Sequence, residues 1–178
     1  MKIILFLAFL LSMSGCILPP SDGYNVYISP KFSPEQTSQI RTALHLWQEA
    51  VGVLISEKDT CDNDTDDVCI VPVSQEQMNT FNTNKLVPGE FVFGYTLRQV
   101  NQSSWVYIVS SLGSDVFAKV ALHESGHIMG LYHTQPGTVL CYEVECQPTA
   151  ITCADKQQYW AIRGVDIPCS ENYHLTGQ

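Results

Sequence analysis

The segment HESGHIMGLYH, His123 to His133, constrains this chain more than any other stretch. His123 and His127 are four residues apart, so on a helix they project from one face, one above the other. Two neutral imidazoles at that spacing can grip one zinc ion. Gly130 has no Cβ, so the chain can leave the helix there through a positive φ. That exit brings His133 back as a third ligand. Glu124, next to the first His, places a carboxylate beside the open coordination position. Three protein ligands with a fourth position free is the composition of a catalytic zinc site, not of a closed structural one. Ile128 and Met129 read as core.

Around this segment the pattern is that of one α+β domain without repeats. Tyr24 to Ser29 reads as a strand. Ser33-Pro34-Glu35-Gln36 opens a helix, with Ser at the N-cap, Pro at the first position and Gln closing a capping box. Ile40, Leu44, Trp47 and Val51 follow at helical spacing and give that helix one apolar face. His45 falls off the stripe and reads as a surface residue. Cys69 to Val73, Glu90 to Leu97 and Trp105 to Val109 are strand candidates, and polar Asn101 to Ser104 separates the last two. Ser114 or Asp115 can cap the histidine-bearing helix, which runs to about Gly130. A further helix fits Ala154 to Arg163, with Gly164 at its C-cap.

The N-terminus reads as a signal. Lys2 precedes an apolar run, Ile3 to Leu11, that is too short to span a bilayer. Residues 1–15 are assigned to a signal peptide, 16–23 to a tether holding Pro19, Pro20, Ser21 and Gly23, and 24–178 to a single domain. Ser12-Met13-Ser14-Gly15-Cys16 resembles the lipobox of bacterial lipoprotein signal peptides, which implies cleavage after Gly15 and a lipid on Cys16. An ordinary secretory signal is the alternative. No later segment reaches the ~18 apolar residues of a membrane helix. The chain has seven Cys. With Cys16 set aside, an even set remains, and in an exported chain it predicts disulfides. Cys61 and Cys69 are the expected pair, and Cys141, Cys146, Cys153 and Cys169 are expected to form two more that brace the C-terminal region. Asp62, Asp64, Asp66 and Asp67 crowd between Cys61 and Cys69. Calcium can bind such a cluster, but an EF-hand loop needs Gly at its sixth position and Glu at its twelfth, where Asp67 and Val73 stand. The stretch reads as a solvated, disulfide-pinned loop tip. Nine Lys and Arg against eighteen Asp and Glu give a net charge of -9, which argues against a nucleic-acid partner.

The pattern HExxHxxGxxH resembles the zinc signature of the metzincin metallopeptidases. HESGHIMGLYHT is most similar to the matrixin group, including Gly130-Leu131, with Thr134 where matrixins carry Ser. The resemblance implies a metzincin-like (zincin) catalytic domain. Its parts are a twisted mixed sheet with a backing helix, an active-site helix, and a small C-terminal subdomain with one helix. It implies one catalytic zinc on His123, His127 and His133, with Glu124 as the catalytic base. It also implies a substrate-pairing edge strand just before the active-site helix, assigned here to Trp105 to Ser110. Metzincins carry a Met in a tight turn beneath the metal. No Met follows His133, and Leu140, within Thr138-Val139-Leu140-Cys141-Tyr142, takes that place with similar volume. Tyr142 then stands where astacins have a Tyr that can approach the zinc. No cysteine-switch segment lies between Cys16 and the first strand, so no built-in latency is expected.

The expected function is that of a zinc-dependent metalloendopeptidase, a monomer that cuts protein or peptide substrates outside the cytoplasm. The expected location is the membrane of a bacterial cell envelope, through the lipid on Cys16, with soluble secretion as the alternative. A gluzincin-type enzyme would take a downstream Glu such as Glu145 as third ligand; Gly130 and His133 argue against it. A catalytically inactive zinc-binding envelope lipoprotein of metzincin ancestry fits the missing Met, but it does not need Glu124. A purely structural envelope protein leaves the motif unexplained.

Overall fold

Buried Tyr24, Val26 and Ile28 alternate with half-buried Asn25 and Tyr27, and this period of two makes Tyr24–Ile28 the first strand, β1. The computed structural model describes residues 23–62, 67–81, 92–98, 102–141 and 143–168. Cys16, Tyr142 and Cys169 lie outside these residues, as do the signal and nearly all of the tether. The other elements, in chain order, are α1 (Pro34–Val51), β2 (Ile55–Lys58), β3 (Asp67–Val73), α2 (Gln75–Phe81), β4 (Gly94–Leu97), β5 (Ser104–Val109), α3 (Ser114–Ile128), a 3-10 turn at Val144–Cys146, and α4 (Cys153–Ala161). This is an α+β fold on a five-stranded mixed sheet of order β2-β1-β3-β5-β4, parallel except for β4.

α1 starts as the sequence predicts. The Ser33 hydroxyl accepts from the Gln36 N–H at 3.2 Å, and the Gln36 side chain accepts from the Ser33 N–H at 3.1 Å. Its buried face is Ile40, Ala43, Leu44, Trp47 and Val51. That face joins one apolar cluster with Val26, Val68, Ile70 and Ile108 of the sheet and Phe117 of α3. Fully buried Trp47 donates from Nε1 to the Leu122 carbonyl at 3.0 Å. The bond fixes α3 against α1 at the residue before His123. Ile128 and Met129 are buried in the core, and His45 is exposed beside Glu49, as expected.

The edge of the sheet is not where the sequence placed it. Trp105 to Ser110 corresponds to β5, which lies between β3 and β4, with Val106, Ile108 and Val109 buried. Among the described residues the edge on this side is β4, running antiparallel to β5. The predicted strand Glu90 to Leu97 is realised as Gly94–Leu97; Glu90 and Phe91 lie outside the described residues. The cap of α3 is Gly113, not Ser114 or Asp115. Ser114 is the first helical residue, and its hydroxyl is spent on α1, donating to Glu35 Oε1 at 2.6 Å and accepting from Gln39 Nε2 at 2.7 Å. α4 starts at Cys153 because Thr152 and Asp155 form a capping box, and it ends at Ala161 with Ile162, not Gly164, at the C-cap; Gly164 turns the chain two residues further on at φ 74°.

Cys61 is bridged to Cys69 and Cys141 to Cys146, and Cys153 is also disulfide-bonded. Residues 63–66, with Asp64 and Asp66, lie outside the described residues. Asp67 is not part of a solvated tip: it is buried at the start of β3, with Lys58 Nζ 2.7 Å from its Oδ1. A buried carboxylate needs such a partner. Among the described residues no helix is long and apolar enough to cross a membrane.

Candidate metal centre

α3 carries His123 and His127 one turn apart, and Trp47 holds the backbone just ahead of them. The helix ends through Gly130, which takes φ 90°, and the Leu131 N–H returns to the Gly126 carbonyl at 3.1 Å. A side chain at residue 130 would be strained in that conformation. The turn delivers His133 to the same place. The Nε2 atoms lie 3.0 Å apart between His123 and His127, 3.1 Å between His123 and His133, and 3.2 Å between His127 and His133.

Three nitrogens so close cannot all be explained by hydrogen bonds among themselves. His123 Nδ1 faces the Val139 carbonyl at 2.9 Å, and His127 Nδ1 faces the Leu131 carbonyl at 2.8 Å. A carbonyl can only accept, so each of these Nδ1 atoms bears the proton. The Nε2 lone pairs of both rings therefore point into the gap they share with His133. Lone pairs in such an array repel unless a cation lies between them. A tetrahedral ion with metal–nitrogen bonds of ~2.0–2.1 Å spaces its ligand nitrogens about 3.3 Å apart, close to what is seen. His123, His127 and His133 can thus hold a metal ion.

The electrostatics suit this. Burial, with His127 and His133 nearby, pushes His123 down to about 3. Burial also lowers His127 and His133. All three are neutral at neutral pH, the form that ligates. His123 is buried, His127 half-buried and His133 exposed, so the site opens to solvent on the His133 side. Among the described residues, Glu145 is exposed on the 3-10 turn and does not join the three histidines.

Glu124 is 4 % exposed, and burial pushes its carboxyl up to about 7, against a lowering hydrogen bond from Thr96. Thr96 Oγ1 donates to Glu124 Oε2 at 2.6 Å. On the same strand, a Cβ at Gly94 would come within 2.4 Å of Glu124 Oε1. The carboxylate thus lies against β4.

Residues 138–141 of the turn assigned to 138–142 lie against α3 beside the triad. Leu140 is fully buried, and a Cβ on Gly126 would meet its Cδ2 at 2.7 Å, so Leu140 packs directly on the helix between the two ligands. The turn is tied back by Thr134 N–H to the Leu140 carbonyl at 2.9 Å and closed by Cys141–Cys146. Tyr142 lies outside the described residues. Two further residues bear on this turn. Gln147, buried, donates from Nε2 to the Cys141 carbonyl at 2.9 Å, and that nitrogen lies 3.0 Å from His123 Nδ1 without bonding it, since both carry protons. Asp155, on α4, accepts the Val139 N–H, and the carbonyl of that same Val139 orients the His123 ring. Sequence reasoning missed Thr96, Gln147 and Asp155. Only Asp155 had a signal, the spacing Thr152-x-x-Asp155.

In comparisons with known proteins, no family model matches the chain and no curated protein matches it.

Proposed function

We propose that this chain is a zinc-dependent metalloendopeptidase of metzincin type that acts on proteins outside the cytoplasm. The observation that carries the reading is the pairing of two features. Three imidazole nitrogens converge within 3.2 Å of one another, and a buried carboxylate from the residue after the first His lies against the open edge of the sheet. A site built only to store a metal needs the first feature and not the second.

Bound at the triad, zinc supplies a Lewis acid that polarises a carbonyl and acidifies water. Glu124 accepts the proton of the attacking water and passes it to the departing amine nitrogen. Its burial, which raises the carboxyl to about 7, suits a group that must both take and release a proton near neutral pH. The substrate lies extended along β4, held by main-chain hydrogen bonds. A chain that must lie extended is an unfolded or loop segment, and an open-ended strand cuts within it. The disulfides fit an oxidising compartment. On this reading Cys16 carries a lipid that keeps the enzyme at a membrane of the cell envelope.

The test is digestion of a peptide library by the purified exported protein, with and without chelator, alongside two variants. Glu124→Ala is expected to keep its metal and lose hydrolysis by at least ~10²–10⁴-fold, the usual contribution of acid–base catalysis. His133→Ala is expected to lose metal affinity as well. A wild type that holds zinc and cuts nothing would make the chain a non-catalytic zinc-binding protein.

A further inference from the structure

The register of β4 gives two of its residues a double task. The Val109 N–H donates to the Phe93 carbonyl at 2.9 Å, and Gly94, Tyr95, Thr96 and Leu97 continue opposite Ile108, Tyr107, Val106 and Trp105. Hydrogen-bonded and non-bonded pairs alternate along an antiparallel ladder. Tyr95 and Leu97 therefore exchange main-chain bonds with β5, whereas the N–H and C=O groups of Gly94 and Thr96 face the edge that is open among the described residues. Alternate residues also share a face. Gly94 and Thr96 lie on the face that meets α3, and both meet Glu124 there. Gly94 makes room for Oε1, since a Cβ would approach it to 2.4 Å, and Thr96 donates its hydroxyl to Oε2 at 2.6 Å.

We infer that Thr96 is a positioning residue for the base Glu124, and that Gly94 and Thr96 couple substrate seating to the base. The main-chain groups of these residues take up the substrate strand, while Thr96's hydroxyl and Gly94's missing side chain fix where the Glu124 carboxylate sits. The inference rests on the peptidase reading. A carboxylate with two oxygens can rotate about its last bonds, and the Thr96 hydroxyl chooses one orientation. Oε2 is held by the strand, leaving Oε1 to handle the proton. Without the hydroxyl the carboxylate stays buried but is no longer aimed.

Thr96→Val removes the hydroxyl and keeps the shape, and Val suits a strand, so the fold is preserved. The expected result is a fall in kcat of about 10–100-fold, with KM and metal content unchanged, the scale seen when a hydrogen bond that orients a site residue is lost. Thr96→Ser is expected to recover the greater part of the lost rate, because it restores the donor. Gly94→Ala is expected to lower kcat like Thr96→Val, by pushing the carboxylate aside. A second readout does not depend on activity. The infrared carboxyl band of Glu124, identified by its loss in Glu124→Gln, is expected to shift in Thr96→Val and return in Thr96→Ser. A band left in place by Thr96→Val overturns the inference, as does a wild-type kcat in that variant. A band that shifts in a protein that cuts no peptide with zinc bound overturns the peptidase reading and Thr96's positioning role in it, while leaving the hydrogen bond itself established.

Discussion

Replacing Asp155 by Ala tests how α4 supports the candidate metal centre. Asp155 is 1 % exposed. Its oxygens accept the Val139 N–H at 3.1 and 3.2 Å, the Thr152 N–H at 2.8 Å and the Thr152 hydroxyl at 2.6 Å. Val139 is buried, so its N–H has no route to water once the carboxylate is gone. An orphaned buried donor costs ~1–3 kcal/mol, and losing the reciprocal cap of α4 adds about 1 kcal/mol. The sum is about 2–4 kcal/mol, or a fall in Tm of roughly 5–15 °C for a chain of this size. The same change frees the Val139 carbonyl that orients His123, so metal affinity is expected to drop about 10–100-fold. Thermal melts of the metal-free protein read the first effect, and competition with a chromophoric chelator reads the second. Asp155→Asn keeps one acceptor for Thr152 but turns an amide toward the Val139 N–H, so it is expected to fall between Ala and wild type. An Asp155→Ala protein that melts with the wild type and binds metal as tightly would refute the proposed link from α4 to His123.

Burial pushes the Tyr24 hydroxyl from 10.0 up to about 12. The folded state therefore prefers the protonated phenol; this stability is complete below pH 10 and lost as pH rises through 12. Two pH units correspond to about 2–3 kcal/mol, so denaturant midpoints of the wild type are expected to fall over that window more steeply than those of Tyr24→Phe. Parallel curves would show that Tyr24 is not the group responsible. Intact-mass spectrometry of the protein from its native host is expected to find an acylated Cys16 at the mature N-terminus, with the acyl chains supplying membrane affinity at ~0.8 kcal/mol per buried CH₂. A free Cys16 or another N-terminus would remove the anchor.

What was legible in the sequence was what depends on local geometry. The spacing of His123, His127, Gly130 and His133 encodes a helix, its exit and a return, and these reappear as three nitrogens around one point. The Ser33 and Gln36 cap, the Ile40-to-Val51 stripe and the Cys61–Cys69 bridge are likewise short-range patterns. The failures concern relations between distant segments. Nothing in Trp105 to Val109 says whether another strand lies outside it, so the sequence alone places the edge one strand too far in. β2 is largely exposed and shows no alternation to read. α2 is an exception: it buries only Met78, so no apolar stripe marks it, but the Ser74 and Gln77 capping box is a local signal for it. Thr96 meets Glu124, and Gln147 meets His123, only through the tertiary fold. Asp67 reads as solvated because its acidic neighbours hide its place at the start of a buried strand beside Lys58.

The support of His123 by Val139, and of Val139 by Asp155, has a consequence for how the molecule comes into being. All three histidines precede α4 in the chain, yet the ring of the first is held by a link that ends on that helix. A chain emerging from the ribosome or from a translocation channel presents its histidines before it presents Asp155. During that interval the Val139 carbonyl lacks the link to α4 that holds it against the His123 ring. A chain released before α4 has formed is therefore expected to retain a metal less tightly than the full chain.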